Sequence, residues 1–166
     1  MDYARILRHF FTGNLAVRRV FPAASLRIIE QAIKQSETGH DGEIRFAVEA
    51  TLNTLPLLKG QSARERAIEV FSRLRVWDTE RNNGVLIYLL LADRDVEIVA
   101  DRGIHARVGG EEWEKICHEM EAAFRQGRFE AGVIAGINSI GNHLQRHFPS
   151  ERRGGKNELA DGPVVL

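Results

Sequence analysis

The stretch RNNGVLIYLLLADRDVEIVADRGIHARVGG, from Arg81 to Gly110, fixes the order of elements around which the chain is built. Gly84 to Ala92 is apolar throughout, the pattern of a strand covered on both faces. Asp93-Arg94-Asp95 is short enough to force a hairpin, so Val96 to Ala100 runs back antiparallel to its predecessor. A polar corner holding Asp101, Arg102, Gly103 and His105 follows.

Upstream, Ile44, Phe46 and Val48 alternate with Glu43, Arg45, Ala47 and Glu49, which predicts a strand with one wet face. Residues 51–60 read as a loop broken by Pro56. Ser62 and Glu65 have capping-box spacing, and Ala67, Val70, Phe71 and Leu74 mark the buried stripe of the helix they start. Strand, helix and strand in one sheet imply a right-handed crossover and parallel pairing. An earlier helix opens at Pro22, carries Leu26, Ile29 and Ile33 at helical spacing, and stops near Thr38-Gly39.

Two more helices follow the corner. The first is marked by Trp113, Ile116, Cys117, Met120 and Phe124, the second by Phe129, Val133, Ile137, Ile140 and Leu144 up to Pro149. The predicted class is α/β: a three-layer α/β/α sandwich with a small mixed sheet, made of a parallel β-α-β crossover followed by an antiparallel hairpin. Residues 1–21 read as a basic N-terminal arm, 22–148 as the domain, and 149–166 as a flexible, solvated tail.

Acids and bases balance at 23 each, so no global field calls for nucleic acid. The lone Cys117 sits in an apolar helical stripe and reads as core filler. The longest apolar run, Val85 to Ala92, is under half the ~20 residues that span a bilayer. The N-terminus lacks the apolar core of a signal peptide. The expected location is the cytoplasm, with peripheral contact to a membrane left open by the arm. There Ile6, Leu7, Phe10 and Phe11 could form one helix face among Arg5, Arg8, Arg18 and Arg19. That helix either packs on the domain with its arginines solvated or docks on a membrane surface or partner.

The topology brings three segments to one sheet edge: the starts of the two parallel strands and the end of the third. His40, Glu43, Asn83, Asp101, Arg102 and His105 therefore share a rim. Of these, His40, Glu43, Asn83, Asp101 and His105 are candidate ligands for a divalent cation, whether Ca, Mg, Mn or Zn. Asp101 and His105, with Arg102 as an anion holder, are the candidate catalytic groups. The structural alternative has Asp101 and Arg102 pairing at a sheet corner, His105 capping a helix and Asn82-Asn83-Gly84 making a turn. His143 and His147, one turn apart, read as surface residues. HExxH, CxxC, GxSxG and P-loop patterns are all absent.

Asn83-Gly84-Val85-Leu86-Ile87, the Asp93-Arg94 turn, the corner ending at Gly103, and Phe124-Arg125 with Gly127, Phe129 and Gly132 together resemble the TPM domain family from about Pro22 to Phe148. The resemblance implies an α/β/α sandwich. It also implies binding of calcium or similar ions, as in some members, and acid phosphatase activity, as associated with plant members. Asn82 stands where the family has an acid before Asn-Gly, Val99 where it has a glutamate, and Asp101 where it has a glycine. Two functions are expected on this basis. One is a non-catalytic binding or accessory module with a protein partner in a membrane-associated or stress-response complex. The other is a weak divalent-metal-dependent phosphatase.

Overall fold

The structure is a computed structural model and describes residues 2–150 and 157–166. Helices α1 (Tyr3–Phe11), α2 (Asn14–Val20) and α3 (Ala23–Glu37) precede strand β1 (Glu43–Glu49). Then come α4 (Thr54–Leu58), α5 (Ala63–Arg73) and the hairpin β2 (Gly84–Leu90) and β3 (Asp95–Ala100). Helices α6 (Arg102–Val108), α7 (Gly110–Arg125) and α8 (Phe129–His147) and strand β4 (Val164–Val165) complete the order.

Local chemistry starts and stops these elements. The Ser62 side chain accepts the Glu65 amide while the Glu65 carboxylate accepts the Ser62 amide, so α5 begins in the capping box that its sequence announces. Residues 51–60 are not all loop. Pro56 lies in the first turn of α4, where its missing N–H leaves no bond unmade. Gly109, at φ 86, takes a backbone shape L side chains resist and separates α6 from α7.

The sheet order is β3-β2-β1-β4. β1 and β2 run parallel with Glu43 opposite Gly84 and Glu49 opposite Leu90. β2 and β3 run antiparallel with Val85 opposite Ala100. Every residue of β2 is buried, as its unbroken apolar run requires. Ile44, Phe46, Val48, Val85 and Ile87 face a core with Ile29 and Ile33 of α3, Ile116 and Phe124 of α7 and Ile137 and Ile140 of α8. Leu86, Tyr88 and Leu90 face a second core beneath Ala67, Val70 and Phe71 of α5. The result is the three-layer mixed α/β arrangement.

Two expectations need correction. The charged face of β1 is not wet, because all seven residues are buried. Glu49 is covered by α5, where Arg66 holds it with hydrogen bonds of 2.9 and 3.0 Å and the Tyr88 hydroxyl donates to it at 2.7 Å. Glu43 is covered by the C-terminal segment, accepting the amides of Glu158 and Leu159 at 2.9 and 3.1 Å. That segment is the second correction. Residues 157–166 are not a solvated tail but close the open edge of β1, with Val164 and Val165 in parallel register with Ala47 and Val48. The rest of the expected tail, residues 151–156, lies outside the described residues.

The N-terminal arm is two helices rather than one. α1 packs on the domain through its polar side: Arg5 donates to Asp93 at 2.9 Å and to the Gln61 carbonyl at 2.8 Å, and buried His9 accepts the Leu52 amide at 3.1 Å. No helix among the described residues is long and apolar enough to cross a membrane.

Candidate functional site at the β2–α6 corner

The three rim segments do meet. The Asp101 amide donates to the Gly84 carbonyl at 2.9 Å, and the Glu43 amide reaches the Asn83 carbonyl at 3.4 Å. Residues Asp101 to His105, read as a ligand-bearing corner, are the beginning of α6. Asp101 is its N-cap, its Oδ1 accepting the Arg102 amide at 2.8 Å. The Ile104 amide donates to the Asn82 carbonyl at 3.3 Å, seating this first turn directly on Arg81-Asn82. Gly103 permits the approach: a Cβ there would lie 2.5 Å from the Asn82 carbonyl oxygen and 2.7 Å from that of Arg81. Asn82 is itself left-handed, at φ 51, a conformation that Asn and Asp tolerate better than other L residues.

Within this corner two buried oxygens have no hydrogen-bond partner: Asn83 Oδ1 and Asp101 Oδ2. Asn83 is 0% exposed and Asp101 8%. The Asn83 amide is oriented by its Nδ2, which donates to the Asp41 carbonyl at 3.0 Å, so its oxygen is the free end. The Asn83 backbone N–H donates to Thr79 Oγ1 at 3.1 Å. A buried acceptor left unmatched costs roughly 1–3 kcal/mol. Oxygen acceptors from one carboxylate, one amide and nearby backbone carbonyls fit a hard cation such as calcium or magnesium better than a soft one.

The remaining rim residues are engaged elsewhere. His40 is buried, with Nδ1 3.0 Å from the Gly42 carbonyl and Nε2 3.1 Å from Ser36 Oγ. A carbonyl only accepts, so Nδ1 carries the proton and Nε2 takes the Ser36 hydroxyl. No ring lone pair is left for a metal. Burial also holds the imidazole below its ordinary pKa, keeping it neutral. Glu43 is committed to the Glu158 and Leu159 amides, and burial raises its pKa. His105 is exposed and lines a different hollow, beside Trp113, Cys117 and His118. Arg102 is exposed next to the corner. Among the described residues, no three His, Cys, Asp or Glu side chains assemble as a metal group.

Cys117 is core, its thiol pushed up to about 12 by burial. His143 packs edge-on against Trp113 at 5.8 Å. Sequence reading missed the cap role of Asp101, although Asp followed by Ile104 and Val108 at helical spacing is an N-terminal signal. It also missed the guanidinium groups of Arg81 and Arg107, 5.1 and 5.3 Å from the Phe148 ring, which tie the corner to the end of α8.

The model of the TPM domain matches residues 18–143. The chain belongs to the TPM domain family. The NMR structure of the BA42 protein from the psychrophilic bacterium Bizionia argentinensis sp. nov. is similar to it at 29% identity and a TM-score of 0.76, covering 88% of this chain and 95% of that one. The N-terminal domain of a P. gingivalis protein shares the fold, with a TM-score of 0.64 at 16% identity over 83% of each chain. No curated protein matches the chain. In this member the family's Asn-Gly segment is the seat of the unpaired Asn83 oxygen. Val99 is packed into the core beneath α5.

Proposed function

We propose that the chain is a non-catalytic binding module whose ligand at the β2–α6 corner is a hard divalent cation. The observation that carries this reading is the pair of buried, unpartnered oxygens Asn83 Oδ1 and Asp101 Oδ2 on adjoining segments. With one carboxylate on offer, the site takes calcium or magnesium weakly and completes the coordination with water. Neither His40 nor Glu43 joins it, since both spend their polar atoms on the protein itself. A module of this kind suits an accessory role in a membrane-associated or stress-response complex, as the family resemblance implies.

The test is thermal unfolding with Ca²⁺, Mg²⁺, Mn²⁺ and Zn²⁺ on the wild type and on Asp101→Asn. That variant keeps a side-chain oxygen for the helix cap and removes the charge. A bound ion stabilises by about 2.7 kcal/mol at a hundredfold excess over Kd. The expected result is a rise in Tm with Ca²⁺ or Mg²⁺ that Asp101→Asn abolishes. No rise with either ion, or an equal rise in the variant, removes the cation reading.

Arg102, exposed beside the same corner, favours one second reading: a weak metal-assisted phosphohydrolase in which Arg102 holds the phosphate. Metal-dependent hydrolysis of p-nitrophenyl phosphate that is lost in both Arg102→Ala and Asp101→Asn would decide for the enzyme. A Tm response without turnover decides for the module.

A further inference from the structure

An amphipathic surface helix normally buries its apolar stripe and wets its charges; α1 does the reverse. Arg5 and His9, one turn apart, face the domain: Arg5 donates to Asp93 at 2.9 Å, and His9 Nε2 approaches the same carboxylate at 3.2 Å. Only Ile6 of the α1 apolar residues joins the core. Tyr3, Leu7, Phe10 and Phe11 occupy the outward arc, with Phe10 71% and Phe11 87% exposed. α2 adds to this side of the molecule: Ala16, Arg19 and Val20 line one groove with Leu7 and Phe11, and Leu15 is 79% exposed with Arg18 and Arg19 three and four residues on along the same helix face.

Behind these residues runs an apolar groove of about 1090 Å³, lined by Leu7, Phe11, Ala16, Val20, Leu91 and Phe129. Its charged lining is one-sided. Arg8, Arg19 and Arg94 stand on it, and the one acid there, Asp93, is already met by Arg5, Arg8 and His9. The face thus combines protruding aromatic and aliphatic side chains, an apolar slot behind them, and at the margin Arg19, in no ion pair among the described residues, and Arg8, which shares its one partner Asp93 with Arg5 and His9. Water is a poor partner for the first two, and an anionic headgroup layer suits the third.

We infer that α1 and α2 form a docking surface for an anionic lipid membrane, lying flat in its interface. Phe10, Phe11 and Leu15 enter the boundary between headgroups and acyl chains, where burial of apolar area drives binding. Arg18 and Arg19 face the headgroup phosphates, and the groove accepts part of an acyl chain. The charge pattern selects lipid over a second copy of the chain, because two such faces would bring like arginines together. This inference goes beyond the cation site and does not depend on it, since the two surfaces share no residue.

The test is sedimentation of the full chain with vesicles of phosphatidylcholine alone and of phosphatidylcholine mixed with phosphatidylglycerol. The chain is expected to pellet with the mixed vesicles, to stay in solution with the neutral ones, and to be released by raised salt. Arg18→Ala/Arg19→Ala is expected to weaken partition about thirtyfold, from the attraction of two juxtamembrane arginines. Phe10→Ser/Phe11→Ser is expected to abolish binding while leaving far-UV circular dichroism and Tm unchanged, because both rings are exposed. Equal binding to neutral and mixed vesicles, or undiminished binding by the serine variant, overturns the proposal. So does wild-type self-association that the serine variant relieves while vesicles are ignored, which would assign the face to a second copy.

Discussion

Arg66 on α5 and Glu49 at the end of β1 form a two-pronged ion pair, Nε to Oε2 at 2.9 Å and Nη2 to Oε1 at 3.0 Å, with both side chains largely out of water. Tyr88 donates to the same carboxylate at 2.7 Å, and its hydroxyl pKa is pushed well up, first by burial and then by that carboxylate. Removing one partner of a buried pair leaves the other charge unmatched, a loss of about 3–5 kcal/mol. Arg66→Ala is therefore expected to lower the urea midpoint by that order without changing the m-value. Arg66→Lys recovers little, because an ammonium cannot supply two parallel N–H groups. A loss below about 0.5 kcal/mol, the size of an ordinary surface change, would mean that the pair contributes nothing.

Glu37 sets a pH response. Burial raises its pKa from 4.5 to about 8, and the charges of Glu43 and Asp161 push the same way, against the Ile44 amide that it accepts. The folded state thus prefers the protonated acid. Its contribution to stability is complete below the ordinary value of 4.5 and falls away as pH rises towards about 8. Glu37→Gln should flatten the decline in Tm between pH 5 and pH 9, gaining over the wild type at the alkaline end. Parallel Tm profiles for the two proteins would remove Glu37 from this role.

Gly103→Ala tests the corner. Its Cβ would meet the Arg81 and Asn82 carbonyls well inside contact distance, and backbone cannot swing aside as a flexible side chain can. Overpacking of this sort costs about 1–3 kcal/mol. The variant is expected to lose stability in that range and any Tm response to Ca²⁺ with it. Calorimetry that finds wild-type stability would show that the seat of α6 on Arg81-Asn82 yields to a methyl group without cost.

Removing residues 157–166 uncovers Glu43 and the open edge of β1. Glu43 loses two amide donors and Ala47-Val48 loses its strand partner. Amide exchange is expected to accelerate along β1 more than along β2, which keeps both its neighbours. Uniform acceleration in both strands would indicate global destabilisation instead.

Local pattern carried most of the fold. The unbroken run from Gly84 to Ala92, the three-residue turn and the Ser62–Glu65 box are short-range signals, and each element stands where they put it. What the pattern missed is long-range. Glu43 meets amides 115 and 116 residues away, and nothing in the alternation of Glu43, Arg45 and Glu49 tells water from a returning segment. β4 is two residues long, below any readable period. At the site, topology brought Asn83 and Asp101 to one edge, but direction was not legible: His40 turns to Ser36 and His105 to the α7 side. Periodicity likewise showed that α1 is two-faced without saying which face is held.

The way α1 is held has a consequence for how the molecule answers its solvent. Sulfate and similar salts tighten the apolar cores between the sheet and its helices. Arg5 and His9 meet Asp93 at 2.9 and 3.2 Å, far inside the Debye length and largely out of water, so the same ions change that polar grip little. One solution variable thus strengthens the domain's cores while leaving the hold on its N-terminal helix nearly as it was, because that helix is fastened by polar contacts rather than by apolar area.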